Sequence, residues 1–65
     1  MQELTARQLE VLQALANGKQ LKGAAYDMGV TIKAIENHVT LLKAKLNAQT
    51  IGHCVAQGFR QGLLK

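Results

Sequence analysis

Apolar residues in this chain recur three and four positions apart, in runs separated by only a few residues each. Such spacing suits amphipathic helices that bury one stripe against each other. Proline is absent, and no stretch of any length alternates apolar and polar residues as a half-buried strand does. The chain is therefore predicted to be all-α, with four helices.

The first helix is expected to begin at Thr5, whose hydroxyl can cap the free amides, with Gln8 three residues on completing a capping box. Leu9, Leu12, Leu15 and Ala16 form its inner stripe, with Val11 beside them, and Asn17-Gly18 stops it because both residue types tolerate a left-handed backbone. A short second helix spans 20–28, with Leu21, Ala24, Ala25 and Met28 inward. Gly29 ends it and Val30 plugs the turn. Thr31 caps the third helix, Asn47 closes it, and Ile32, Ile35, Val39, Leu42 and Leu46 face the core. Thr50 caps the fourth, where Ile51, Cys54, Val55 and Phe59 line one side. Gly58 and Gly62 fall on that same side, one turn apart. Glycine inside a helix costs about 1 kcal/mol against alanine, so the pair predicts close backbone packing.

Length sharpens the picture. Sixty-five residues make a single domain over 1–65, and so small a chain buries only about 60% of the surface it exposes when unfolded. Disulfides, a metal or a partner chain usually reinforce domains of this size. Cys54 is the only cysteine, and His38 and His53 lie too far apart to suggest a zinc site with it, so a partner chain is the expected reinforcement. Eight Lys and Arg against four Asp and Glu give a formal charge of +4, which favours polyanionic partners. No apolar run approaches the ~18 residues that cross a bilayer. The opening MQELTARQLEVL interleaves charges and lacks a signal peptide's apolar core. A cytoplasmic, nucleoid-associated protein without membrane contact is expected. No glycine-rich phosphate loop, metal-ligand cluster or nucleophile–base pair can be assembled, so neither enzymatic activity nor a cofactor is predicted.

The second and third helices are joined by about three residues containing Gly29, the spacing of a helix-turn-helix. Around that core stand Leu4, Thr5, Arg7, Glu10, Val11 and Leu12 at the start, then Gly18, Lys22 and Ala25. After the turn come Thr31, Ala34, Ile35, Glu36 and His38, then Lys45-Leu46 and the closing Gly62-Leu63-Leu64. Across nearly the whole chain this pattern resembles the LuxR/GerE-type helix-turn-helix domain, the output module of many bacterial transcription regulators. The resemblance implies a third helix that reads DNA and a last helix that pairs two subunits. Five positions depart from the family's habit. Glu36 stands where lysine or arginine usually faces the bases. Leu21 and Gly23 replace a usual Asn and Glu, Leu41 a common asparagine, and Ile51 a common arginine.

At 100° per residue, Lys33, Asn37, Thr40 and Ala44 point away from the core, with Glu36 and Leu41 on the flanks. A major groove about 12 Å wide admits a helix. Lys33, Glu36, Asn37 and Thr40 are the predicted base contacts: Asn37 suits adenine, Thr40 a thymine methyl or a base acceptor, and Glu36 the cytosine amino group. Lys22, Thr31, Lys43 and Lys45 are the predicted phosphate contacts. The outward face of the fourth helix offers His53, Ala56, Gln57, Arg60 and Leu64 to a homodimer on an inverted repeat of double-stranded DNA. Blander roles compete. A surface ion pair with Lys33 would account for Glu36, a packed and hydrogen-bonded side chain for His38, and a small core residue for Cys54. A rival function also stands, since Glu36 and Leu41 fit a surface that meets a protein partner, such as a larger regulator, in place of DNA.

Overall fold

The computed structural model describes residues 4–64, and they form α1 (Ala6–Ala16), α2 (Leu21–Met28), α3 (Ile32–Lys45) and α4 (Ile51–Arg60). The single-domain reading over 1–65 extends to residues 1–3 and 65, which lie outside the described residues. Threonine starts three of the helices. Thr5, Thr31 and Thr50 accept from the amides of Gln8, Ala34 and His53 at 3.1, 3.1 and 3.0 Å. Each such cap stabilises its helix by about 1 kcal/mol. The capping box at Thr5 is complete, because the Thr5 amide donates back to Gln8 Oε1 at 3.0 Å.

All four helices end alike, with one residue in the left-handed region: Gly18, Gly29, Asn47 and Gly62. At the α2–α3 turn, Gly29 donates to Tyr26 O at 3.2 Å and Val30 to Ala25 O at 3.0 Å. This closure satisfies carbonyls that the helix end would leave bare, and it redirects the chain within two residues. Gly62 thus has a different role from the one expected. It turns the chain at φ +74°, and a Cβ there would meet nothing within 4 Å. Gly58 does serve close packing: a Cβ on it would lie 2.8 Å from Leu64 Cδ1 and 3.0 Å from Leu12 Cδ2.

The core gathers Val11 and Leu12 of α1, Ala24 and Ala25 of α2, Ile35, Val39 and Leu42 of α3, Cys54 of α4, and Leu46, Ala48 and Leu64. α1 touches each of the other helices, whereas α2 packs on α1 and α3 only. Four expectations need correction. The inner stripe of α1 centres on Gln8, Val11 and Leu12, and Leu9 is displaced to a flank. Leu9 stands about 110° from the Val11–Leu12 line, and Gln8 can occupy the stripe because the capping box draws its side chain back over the helix end, where it also accepts from Lys45 Nζ at 2.8 Å. Ile32 is 43% exposed, standing about 50° off the stripe of Ile35, Val39, Leu42 and Leu46. Phe59 is 50% exposed, about 120° from the Cys54–Gly58 line that faces the core. Leu64, expected on the outward face of α4, is instead buried at 8% exposure. The Gly62 turn folds it back onto Gly58.

Cys54 is a core residue, as expected, and its burial pushes the thiol above its ordinary range, with Lys43 opposing in part. Below that range both folded and unfolded chains keep the proton, so stability is unaffected. As pH rises past about 8.5 the unfolded chain ionises first, and this contribution to stability is lost up to the raised folded value. Thermal midpoints measured from pH 7 to 10 should therefore fall less steeply in Cys54→Ala than in the parent. Parallel curves would show that thiol ionisation does not differ between the two states.

Candidate nucleic-acid interface

α3 is 14 residues long, about 21 Å, and it follows a turn that leaves its outer side uncovered. Lys33, Glu36, Asn37, Thr40, Leu41 and Ala44 are all exposed along it. Their placement follows from the buried stripe opposite, which fixes the helix's rotation. Thr40 is partly committed, because its hydroxyl donates to the Glu36 carbonyl at 3.1 Å. What it can show a ligand is a methyl group and oxygen lone pairs. Asn37 keeps donors and an acceptor available to solvent.

The local charge pattern isolates one residue. Glu10 pairs with Arg7 at 3.4 Å, and Asp27 pairs with Lys19. Glu36 has no cation at ion-pair distance among the described residues, so the surface pair with Lys33 does not form. Surface pairs contribute little to stability in any case. What matters is that the carboxylate remains uncompensated, on the face of α3 that carries Lys33 and Asn37.

The predicted phosphate contacts divide. Lys22 on α2 and Thr31 at the start of α3 are exposed, and Lys43 is half-buried. The Thr31 hydroxyl oxygen already accepts from Ala34 N, which leaves its proton for another acceptor. Lys45 is turned inward, its ammonium held by Gln8 across 37 positions of sequence. It therefore works as a strut between α1 and the end of α3, and it is half-buried. His38 is half-buried as expected, but its buried Nδ1 has no hydrogen-bond partner among the described residues.

On α4, His53, Ala56 and Arg60 are exposed, while Gln57 is half-buried and donates to Leu46 O at 3.2 Å. Arg60 in turn donates to Gln57 Oε1 at 3.3 Å. The outward face is thus His53, Ala56 and Arg60, with Gln57 tying its edge to the end of α3. Half-exposed Phe59, three residues after Ala56, adds an apolar group next to that face. Tyr26 escaped the sequence reading altogether, yet it is 86% exposed on α2. The signal was available: Leu21, Ala24, Ala25 and Met28 fix the inner side of α2, and Tyr26 falls opposite. Among the described residues no three His, Cys, Asp or Glu side chains gather as a metal site, and no helix is long and apolar enough to cross a membrane.

A short helix, a left-handed glycine turn and a longer helix with an uncovered polar face define a helix-turn-helix domain of the kind found in transcription regulators. The chain belongs to the LuxR family of bacterial regulatory proteins, whose GerE-type family model matches residues 2–57. It is 34% identical to the transcriptional activator protein ExaE of Pseudomonas putida over all 65 residues, which cover 30% of that protein. It is 31% identical to the transcriptional regulatory protein YdfI of Bacillus subtilis over 62 residues, 95% of this chain and 29% of that protein. The chain thus spans about a third or less of these curated relatives' length. A crystal structure of a VqmA–ligand–DNA complex from Vibrio cholera superimposes with a TM-score of 0.89 at 32% identity, over 97% of this chain and 28% of that one. The structure of the transcription factor GerE agrees in fold, with a TM-score of 0.90 at 24% identity, covering 95% of this chain and 92% of GerE.

Proposed function

We propose that the chain is a single sequence-specific DNA-binding domain that regulates transcription as a homodimer on an inverted repeat, one α3 in each half-site. The observation that carries this reading is the row Lys33, Glu36, Asn37 and Thr40, exposed together on a helix held out by its turn. Membership of a family of regulators supports it, and so does the likeness to VqmA, solved in complex with a ligand and DNA. In this reading those four side chains meet base edges, while Lys22, Thr31 and Lys43 hold phosphates. Lys45, bound to Gln8, makes no primary contribution. The face of His53, Ala56 and Arg60, extended by Phe59, pairs the subunits and sets the two α3 helices about 34 Å apart. The site of action is the cytoplasmic nucleoid.

Selection of bound sequences from a random duplex pool tests this. An enriched inverted repeat is expected. Two lysines per subunit on phosphate make four per dimer, so the slope of log affinity against log salt should be near −3.6, or about a hundredfold loss from 50 to 200 mM. Asn37→Ala should relax preference at one base pair per half-site, by about 1–3 kcal/mol. A second reading is favoured by Leu41, 49% exposed on one flank of α3's outer face, with the uncompensated Glu36 on the other. There the chain binds a protein, such as a larger regulator, and antagonises it. A folded dimer that retains no duplex even at low salt decides for that reading.

A further inference from the structure

α2 carries two features that its own packing does not explain, and they are three residues apart. Gly23 lies inside the helix, where glycine is among the poorest residues. Its backbone is ordinary, with no positive φ, and a Cβ built on it would meet no heavy atom within 4 Å. Alanine would fit the subunit and strengthen the helix. Gly58 makes the contrast, since Leu64 and Leu12 occupy the space its side chain would need. Tyr26, the most exposed of the large apolar side chains, makes no hydrogen bond among the described residues. Residues three apart on a helix are surface neighbours, so Tyr26 stands beside the bare backbone of Gly23. Lys22 is exposed next to them.

The charge of this face selects its occupant. Asp27, the carboxylate of α2, is neutralised by Lys19, which leaves Lys22 as the uncompensated charge of the outer side among the described residues. α2 leads into α3 through the Gly29 turn, and in helix-turn-helix complexes the first helix crosses the sugar–phosphate backbone while the second enters the groove. We infer that Gly23 marks a point of close approach by the phosphodiester backbone of duplex DNA, and that the Tyr26 hydroxyl donates a hydrogen bond to a phosphate oxygen there. This rests on the DNA-binding reading above. The bare glycine lets the strand come nearer than a side chain would allow, and Tyr26 holds it as a neutral donor beside the cationic Lys22.

The test uses the intact chain, a duplex recovered by selection, and a scrambled duplex of equal length, each titrated over a range of salt. Gly23→Ala should raise the unfolding midpoint by roughly 4–8 °C. It should nevertheless weaken binding to both duplexes, by about fivefold or more. Tyr26→Phe should weaken both by about fivefold for each subunit's contact with the salt slope unchanged, since a neutral donor releases no counterion. Lys22→Ala should instead make the slope shallower by about 0.9 for each phosphate that the lysine had neutralised. A stabilised Gly23→Ala that binds like the parent, with Tyr26→Phe equally unaffected, overturns the inference and leaves the DNA-binding reading intact. Losses confined to the selected duplex also overturn it, because a backbone contact carries no sequence information. A parent chain that retains neither duplex removes both readings, and the face then belongs to a protein partner.

Discussion

Leu12→Ala is expected to leave most of the chain unfolded at 25 °C. Leu12 is fully buried, it lies on the one flank of α1 that meets α4 at Gly58, and α1 touches every other helix. Truncating a buried leucine costs about 2–5 kcal/mol, from lost transfer energy and from the cavity left behind. The single core of a domain this small supplies only about 3–5 kcal/mol in total. The two magnitudes overlap, so one substitution removes most of the margin. Helical circular dichroism and the thermal transition read the outcome directly. Leu9→Ala is the paired control, because Leu9 stands on a flank outside the core cluster. It should cost about 1 kcal/mol or less. Equal losses in the two variants would mean that α1 is rotated from the position described. The proposed dimer would shift both transitions with concentration, so the comparison is made at one protein concentration.

That pair of leucines marks where the sequence was informative. Helix starts and stops were legible because their chemistry is local. A threonine hydroxyl reaches an amide three residues away, and glycine or asparagine accepts a left-handed backbone whatever surrounds it. The helix-turn-helix and the exposed row on α3 followed from those boundaries together with the Ile35–Val39–Leu42 stripe. Rotational phase was less legible. Leu9 and Val11 are both apolar, and what decides between them is the placement of Gln8, a polar residue that is buried because the capping box and Lys45 satisfy its carbonyl oxygen. The Lys45 contact itself spans α1 and α3, so no local pattern announces it. Leu64 misled for a related reason. Helical periodicity continued through Gly62 points it outward, but the chain reverses there and returns the leucine to the core. Three-and-four spacing points Ile32 inward and groups Phe59 with the inner side of α4, whereas each lies well off its helix's buried line.

Glu36→Lys is expected to trade selectivity for affinity, and on a larger scale than any other single change on α3. Glu10 and Asp27 each have a cation within the subunit to account for them, whereas Glu36 has none among the described residues. Near a duplex its charge repels phosphates on either side, a penalty that applies to every sequence. In the proposed reading the compensating gain is a hydrogen bond donated by a base amino group, such as the one cytosine presents in the major groove. Replacing the carboxylate with an ammonium reverses both effects. Affinity for arbitrary duplexes should rise, and the salt slope should steepen by up to about 1.8 per dimer as two more phosphates are neutralised. Preference for cytosine at the affected position should fall by about 1–3 kcal/mol, since lysine presents donors suited to guanine. Glu36→Gln separates the two contributions: it removes the repulsion but can still accept, and it pairs best with adenine, so the preferred base should change while the domain remains selective. If Glu36→Lys tightens binding to the selected and scrambled duplexes by the same factor, the carboxylate is not a base-reading group. Specificity then rests on Lys33, Asn37 and Thr40, and the unpaired charge at Glu36 serves only to keep non-specific binding weak.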